Sequence, residues 1–182
     1  MYGAASGGGA GGVGGFSNLF RYALLLKEGG YWVDTDTFCL RPLAMEPIVI
    51  SSEWSKTKEI VPNCGVLKFP PGHRFSEWCF GQADAADTET LVFGTTGPAL
   101  TGAAVKEFEL SEFVVSPDVF CSVNWFQYQT LCEPGVISEH ALGLHLWGEC
   151  WRRKLIPIPW PGPEGSILHS LASTLESVPA SA

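Results

Sequence analysis

Apolar and polar residues follow one another in a pattern whose period changes several times after residue 15. Between Phe16 and Lys27, apolar side chains recur every three to four residues, which predicts a helix with one buried face. Gly29 and Gly30 predict the end of this helix, because glycine is favoured just beyond a helix C-terminus. The aromatic and β-branched run at 31–33 then predicts a short strand.

The same patterns continue through the rest of the chain. Further helices are predicted over 73–86, 99–108 and 166–176. Further strands are predicted over 38–40, 47–51, 65–69, 113–115 and 119–121. Alternating helices and strands predict an α/β domain with a mixed sheet. Residues 3–15 are almost entirely Gly, Ala and Ser, so the sequence predicts a flexible arm over 1–15 and a single domain over 16–182.

Composition and charge limit the kinds of molecule that this protein can be expected to bind. The chain has 182 residues, of which 46% are hydrophobic, enough for one domain with a proper core. A net charge of −8 argues against partners that need a basic surface, namely nucleic acids and anionic membranes. The six cysteines show no C-x-x-C spacing, which argues against a structural zinc or a redox dithiol.

Localisation is inferred from two apolar features of the chain. The most apolar short run, 23–26, is too short to cross a bilayer, so no transmembrane segment is predicted in this chain. The N-terminus lacks the basic start and apolar run of a signal peptide. We therefore expect a cytoplasmic protein, or one of the Golgi lumen if an N-terminal anchor is missing.

Two carboxylates, Asp34 and Asp36, directly follow the predicted strand at 31–33. In an extended backbone, side chains two residues apart point to the same side, so these two can converge. Carboxylate oxygens suit Mg²⁺ and Mn²⁺, and a site with few protein ligands leaves positions for phosphate oxygens. The pattern thus indicates a metal-bridged diphosphate substrate. Asp is also common in turns after strands, so the spacing alone leaves a purely structural interpretation open.

The same letters, DTDT at 34–37, allow a second chemistry. They are similar to the first motif of haloacid-dehalogenase phosphatases, where the first Asp is the nucleophile and the second a general acid. Asp34 would then attack phosphorus, and a later strand should end in paired acids that complete a Mg²⁺ site. The later aspartates are Asp84, Asp87 and Asp118, and the first two fall in or beside a predicted helix. The phosphatase therefore stays as an alternative.

Taken as one block, residues 16–43 resemble the Asp-x-Asp sugar-binding region of glycosyltransferase family 32. Relatives in this family include α-1,4-galactosyltransferase-like and initiating mannosyltransferase-like proteins. The block contains the helix, the double glycine, the aromatic strand and the Asp-x-Asp pair in register. Later segments similar to the family follow in the same order: NCGVL at 63–67, GTTGP at 94–98, HLW at 145–147 and WRR at 151–153.

The resemblance implies a GT-A type fold and a retaining transfer of sugar from a UDP- or GDP-sugar to a glycan, glycolipid or other hydroxyl acceptor. It implies catalytic roles for Asp34 and Asp36. Asp36 and His145 would bind Mn²⁺ or Mg²⁺, while Asp34 contacts the nucleotide-sugar donor. Further donor contacts are implied for Asn18, Arg21, Asn63, Gly97 and Trp147.

Five of these residues also have a plain structural alternative. Arg21 fits a solvated helix position, and Asn63 fits a residue that holds a turn. His145 and Trp147 lie in an apolar stretch and fit the core as well. Gly97 fits a residue that only shapes its loop.

The sequence departs from the family pattern in two places. Asn18 stands where much of the family has Asp, which reduces a charged donor contact to a neutral one. Family members usually carry a nucleotide-binding βαβ segment before the helix at 16–28, and here the glycine-rich arm stands there. We therefore expect a GT-A fold that lacks part of its N-terminal nucleotide-binding segment, and a non-catalytic truncated remnant is a further alternative.

Overall fold

A computed structural model describes residues 13–43, 46–86 and 94–176. The helices are α1 (Val13–Glu28), α2 (Arg74–Asp84), α3 (Leu100–Glu107), α4 (Gly148–Arg153) and α5 (Ile167–Glu176). The strands are β1 (Gly30–Val33), β2 (Thr37–Cys39), β3 (Val49–Trp54), β4 (Ile60–Phe69) and β5 (Gly143–His145). The predicted α/β class is confirmed. None of the described helices is both long and apolar enough to span a bilayer.

The described residues fall into two compact units. The first runs to Asp34 and resumes between residue 46 and Ser116; the second contains Thr35–Leu43 and the residues from Pro117 to 176. The boundary along the chain thus falls inside the Asp-x-Asp motif. Residues 1–12 of the predicted arm lie outside the described residues, and α1 begins at Val13. The single domain over 16–182 stays a prediction.

The first unit is built on a three-stranded sheet with the order β1-β4-β3. Both pairings are antiparallel, with Gly30 opposite Phe69 and Val33 opposite Val66 at the two ends of β1. Among the described residues, parallel pairing is limited to one bridge, between Ile50 and residue 114. The predicted strand at 113–115 is reduced to this bridge, because the chain before it forms a short 3-10 helix.

One hydrophobic core holds the helices of the first unit against this sheet. Tyr22 of α1, Leu67 and Phe69 of β4, and Phe75 of α2 are all fully buried. The rings of Phe69 and Phe75 stack with their centroids 4.2 Å apart. Each such side chain contributes about 2 kcal/mol on burial, so α1 is fixed firmly beside the strand that leads to the Asp-x-Asp motif.

The turn between α1 and β1 depends on Gly29. Its N–H donates to the Leu25 carbonyl at 3.0 Å, and its φ of +65° is a left-handed conformation that favours glycine. A Cβ at this position would lie 2.5 Å from the backbone nitrogen of Pro71. The predicted helix stop is therefore confirmed, and it sets the residue at which β1 begins.

The second unit contains the antiparallel pair β2 and β5, with Thr37 opposite His145. The predicted strand at 119–121 is wrong. A 3-10 helix covers Pro117–Val119, and the Cys121 N–H closes it by donating to the Pro117 carbonyl at 2.6 Å. The following backbone still supports β5, because the His145 N–H donates to the Phe120 carbonyl at 2.8 Å.

All six cysteines are free thiols. Cys64 and Cys79 are buried in the first unit, and Cys121 is buried in the second. Cys39 on β2 is exposed. The pairing that an even number of cysteines would allow is therefore not used in this structure.

Candidate functional site

Asp34 is the last residue of the N-terminal segment of the first unit and directly follows β1. Its N–H donates to the Gly65 carbonyl at 2.8 Å, so the sheet register continues one residue past the strand. One carboxylate oxygen, Oδ1, accepts hydrogen bonds from Arg21 at 2.7 Å and from the Trp32 indole N–H at 2.8 Å. The Asp34 side chain is 23% exposed, so a carboxylate oriented by two fixed donors still reaches solvent.

Arg21 lies on α1 and is almost fully buried, so it is not the solvated helix arginine that the sequence allowed. Its guanidinium lies 5.0 Å from the ring centroid of Trp32, a cation–π distance. Burial alone would lower the pKa of Arg21, but the facing Cys64 and Asp34 raise it above its ordinary value. Arg21 is thus a permanent cation beside Asp34, and its contact with a donor stays a prediction.

Asn18 and Gly97 lie side by side in the first unit. The Asn18 amide donates to the Thr96 hydroxyl at 3.2 Å, and the Thr96 carbonyl accepts from Tyr22 at 3.0 Å. A Cβ on Gly97 would lie 3.2 Å from the Asn18 amide nitrogen and 3.4 Å from the Cys64 sulfur. The Thr-Gly-Pro turn is therefore held against α1, and the small size of Gly97 permits this close approach.

Asn63 lies inside β4 and not in a turn. Its amide oxygen accepts hydrogen bonds from the Ser51 hydroxyl and from the Gly65 N–H, the latter at 3.1 Å. Its amide nitrogen donates to Glu53 at 3.1 Å. The amide is buried and occupied by protein partners, so a donor-binding role for Asn63 stays a prediction that would compete with this network.

Asp36 belongs to the second unit and is held by residues far along the chain. Its Oδ2 accepts from the Gly148 N–H, the first of α4, at 2.7 Å, and its Oδ1 lies 3.2 Å from the His145 Nε2. Its own carbonyl accepts from the Leu146 N–H at 2.8 Å. A Cβ on Gly148 would lie 3.0 Å from Oδ2, so glycine allows this close approach of carboxylate and backbone.

The Asp36–His145 pair is electrostatically coupled. Burial alone would lower the pKa of His145, but hydrogen bonds to Asp36 and Cys121 raise it to about 10. Burial alone would raise the pKa of Asp36, and the His145 and Gly148 hydrogen bonds lower it below its ordinary value. In the absence of a metal, the pair is therefore an imidazolium and a carboxylate at neutral pH.

Trp147 covers the His145 ring. The two rings stack with centroids 4.0 Å apart, and the Trp147 indole donates to the Val123 carbonyl at 2.8 Å. Trp147 has a φ of +57° and is 7% exposed. These contacts show a packing role that orients the imidazole, and contact with a donor diphosphate stays a prediction.

The donor atoms of Asp36 and His145 fit a divalent cation. Each residue can offer one ligand atom, a hard carboxylate oxygen and an imidazole nitrogen, which is a combination that Mn²⁺ accepts. Their separation of 3.2 Å is close to the distance of about 3 Å between neighbouring ligands around an octahedral ion with bonds of about 2.1 Å. The pair could therefore serve as adjacent ligands once the imidazole loses its proton.

Sequence reasoning missed two partners of this pair, Gly148 and Cys121. The Gly148 N–H lies 112 residues after the carboxylate that it binds, and no local pattern marks a backbone donor. Cys121 fell in the segment predicted as a strand. The available signal in the sequence was the apolar stretch around His145, which indicates that this histidine and its partners are buried.

Comparison with known families gives one finding. Residues 15–56 match the family described as "Glycosyltransferase sugar-binding region containing DXD motif". The match covers most of α1, β1, both aspartates, β2 and β3. Comparisons with curated proteins and with solved structures gave no match.

The family match confirms the resemblance that the block at 16–43 carries. This part of the chain is similar to a glycosyltransferase sugar-binding region, and the α/β architecture is consistent with a GT-A type fold. The match suggests a transferase and a nucleotide-sugar donor. The later segments, at 63–67, 94–98 and 145–153, lie beyond the matched residues.

Proposed function

We propose that the protein is a metal-dependent retaining glycosyltransferase that transfers a sugar from a UDP- or GDP-sugar to a hydroxyl of a glycan or glycolipid acceptor. The observation that carries this proposal is the Asp36–His145 pair, an oxygen and a nitrogen ligand 3.2 Å apart. Asp36 lies in the segment that matches a sugar-binding region, which supports placing donor chemistry at this pair.

Asp36 and His145 hold Mn²⁺ or Mg²⁺ in this proposal. A bound divalent cation neutralises the charge that develops on a departing nucleoside diphosphate, which is electrostatic and Lewis-acid catalysis. The protein prepares both ligands in advance. The Gly148 N–H orients the carboxylate, and the Trp147 ring fixes the plane of the imidazole. Such support from neighbouring groups keeps metal ligands in a productive orientation.

Asp34 has a different task in the first unit. Arg21 and Trp32 occupy one of its oxygens and set its direction, so the carboxylate accepts a hydrogen bond from a donor hydroxyl without reorganising. It lies two residues from Asp36, and two peptide units span at most about 7.6 Å between Cα atoms. The covalent chain thus limits how far apart the two Cα atoms can lie.

Asn18 and Gly97 complete the donor contacts proposed for the first unit. The Asn18 amide donates to Thr96, and because the amide is neutral, its hydrogen bond to a hydroxyl of the nucleotide sugar would carry no charge.

The reacting sugar passes through an oxocarbenium-like transition state. No covalent nucleophile is assigned, which is in keeping with a front-side displacement that retains configuration.

The phosphatase alternative gains no supporting observation from the described residues. Its nucleophile would be Asp34, whose Oδ1 is engaged by a buried arginine and an indole. Asp84, one of the candidate later acids, ends α2 and is exposed, and Asp87 lies outside the described residues. The non-catalytic remnant likewise gains none.

Calorimetric titration tests the proposal. UDP- and GDP-sugars are titrated into the protein with and without Mn²⁺, and we expect Mn²⁺-dependent binding that Asp36→Asn abolishes, because it removes one ligand charge. Asp84→Asn is the matched control: it makes the same change at an exposed position at the end of α2 and should bind as the wild type does.

Three outcomes would contradict the proposal. Full Mn²⁺-dependent binding by Asp36→Asn would show that Asp36 is not the metal ligand. Phosphatase turnover with a covalent adduct at Asp34 would establish the other chemistry. Absence of binding to every nucleotide sugar would support the remnant.

A further inference from the structure

An exposed segment begins in the last turn of α4, and the proposed function assigns it no role. Residues 152–161 read RRKLIPIPWP, and all of these ten residues except Ile158 are exposed. We call this stretch the basic–apolar segment. It contains three cations, and no acidic residue occurs between 150 and 163. The whole chain has a net charge of −8, so this segment is a positively charged region on an acidic protein.

Leu155 occupies a conformation that normally belongs to glycine. Its φ is +57°, and its N–H donates to the Arg152 carbonyl at 2.9 Å while the next N–H, of Ile156, donates to the Trp151 carbonyl at 3.1 Å. This arrangement ends a helix, and glycine is the usual residue at its left-handed position. The Leu155 side chain is also 92% exposed. Glycine would remove both the backbone strain and the exposed apolar surface.

The apolar side chains beside Leu155 extend this surface. Ile156 and Trp160 are 44% and 43% exposed. The Trp160 ring stacks on Phe38 of β2, with centroids 6.0 Å apart, so it is anchored on one face. A shallow groove runs along the segment, and it is lined by Gly148, Trp151, Arg152, Leu155, Ile156, Pro157 and Ile158.

The basic side chains are arranged at the start of the segment. Glu149 accepts from Arg152 at 2.6 Å and from Arg153 at 2.8 Å, so one carboxylate holds two guanidinium groups together. Lys154 follows and is exposed. These four side chains retain two net positive charges next to Leu155.

We propose that the basic–apolar segment docks the second unit on a bilayer surface that carries anionic headgroups. Tryptophan and leucine partition into the membrane interface, and lysine and arginine beside them attract anionic lipids. Apolar insertion and a basic cluster are two signals of the kind that peripheral attachment combines. Lysine is depleted from the centres of protein interfaces, so Lys154 beside Leu155 favours lipid over a protein partner.

The acidic character of the whole chain does not prevent this docking. At physiological salt, charges are screened over about 8 Å, so the remote acidic residues act weakly on a segment that touches the bilayer. The local charge of the segment then decides the interaction. The net charge of −8 disfavours anionic membranes for the protein as a whole, whereas this segment is locally positive.

Vesicle co-sedimentation of the full chain at physiological salt tests the proposal. We expect binding to phosphatidylcholine vesicles that contain phosphatidylserine and weaker binding to phosphatidylcholine alone. Leu155→Gly should weaken binding about tenfold, because one large side chain no longer inserts, and should raise the unfolding temperature, because the left-handed strain is relieved. Lys154→Gln should weaken binding about fivefold.

The rise in unfolding temperature separates the lost binding of Leu155→Gly from misfolding. Val136→Gly is the matched control, since Val136 is 94% exposed in the same unit, with Glu133 and Glu139 three residues to either side. It should leave vesicle binding unchanged. Wild-type protein that ignores both kinds of vesicle would overturn the proposal, as would Leu155→Gly that binds as the wild type does. Self-association that Leu155→Gly abolishes, without vesicle binding, would identify a protein interface instead.

Discussion

The two carboxylates of the Asp-x-Asp motif, one in the first unit and one in the second, are held by different kinds of partner. Asp34 is bound by a buried arginine and an indole N–H. Asp36 is bound by His145 and by a backbone N–H of Gly148. Arginine keeps its charge at every accessible pH, whereas histidine can lose its proton.

This difference separates the tasks that the two residues can perform. Because Arg21 does not lose its proton, Asp34 always has a charged partner and is suited to a fixed hydrogen bond. Asp36 and His145 can exchange their shared proton for a metal ion, since deprotonation frees an imidazole nitrogen next to a carboxylate oxygen. Two aspartates that look equivalent in the sequence thus differ in chemistry because of what packs against them.

Removing the permanent cation should have the largest effect. Arg21→Met leaves the partly buried Asp34 carboxylate with one donor, Trp32, and should lower the free energy of unfolding by about 3 kcal/mol. Urea denaturation measures the loss. Adding Asp34→Asn to Arg21→Met removes the uncompensated charge and should restore part of the stability. A loss well below about 1 kcal/mol would mean that Asp34 does not depend on Arg21.

The titratable partner should give the metal-free protein a distinct pH dependence. The pKa of His145 is raised to about 10, so its stabilising contribution is complete below its unfolded pKa near 6.5 and is lost as the pH rises through about 10. Between these values the free energy of unfolding should fall as the pH rises, relative to His145→Gln.

Thermal unfolding of both proteins from pH 6 to pH 10 measures this difference, with chelator present to keep the protein free of metal. Subtracting the His145→Gln curve removes the contributions of other titrating groups. Parallel curves would contradict the assigned coupling between His145 and Asp36. They would not bear on the pairing of Arg21 with Asp34, so the predictions for Arg21 and for His145 can fail independently.

Crowding the backbone donor should have the smallest effect. Gly148→Ala places a methyl group 3.0 Å from the Asp36 Oδ2 and should cost about 1 kcal/mol while weakening Mn²⁺ binding several-fold. Gly102→Ala is the control, because a Cβ there meets nothing within 4 Å and lies inside α3, so it should stabilise by about 1 kcal/mol. Equal effects of the two changes would show that Asp36 tolerates displacement.

Local features of this molecule were predictable from its sequence. The apolar spacing of α1, the stop at Gly29 and the short strand before Asp34 depend on neighbours within a few residues. Helices α2, α3 and α5 lie within two residues of their predicted ranges. Conformational preference and apolar period act over this range, so each element could be assigned without knowledge of the rest of the chain.

Features that depend on distant residues were not predictable. The structural alternative for Asn63 was a residue that holds a turn, yet Asn63 lies inside β4, where Ser51 and Glu53 of the neighbouring strand satisfy its amide. The segment at 119–121 has β-forming residues, but the turn that begins at Pro117 overrides their preference. The donor that holds Asp36 is a backbone N–H, which every residue except proline possesses, so no residue type could mark it.

The rate at which the buried thiols react with an alkylating agent reports how often the protein opens locally. Thiolates are the species that alkylating agents attack, and burial raises the pKa of Cys64 to about 11, so this side chain is doubly protected while the first unit stays closed. Burial of Cys121 makes its modification report on opening of the second unit, and the exposed Cys39 reacts without any opening. Counting modified cysteines by mass spectrometry would therefore give an opening rate for each unit separately, with no label added to the chain.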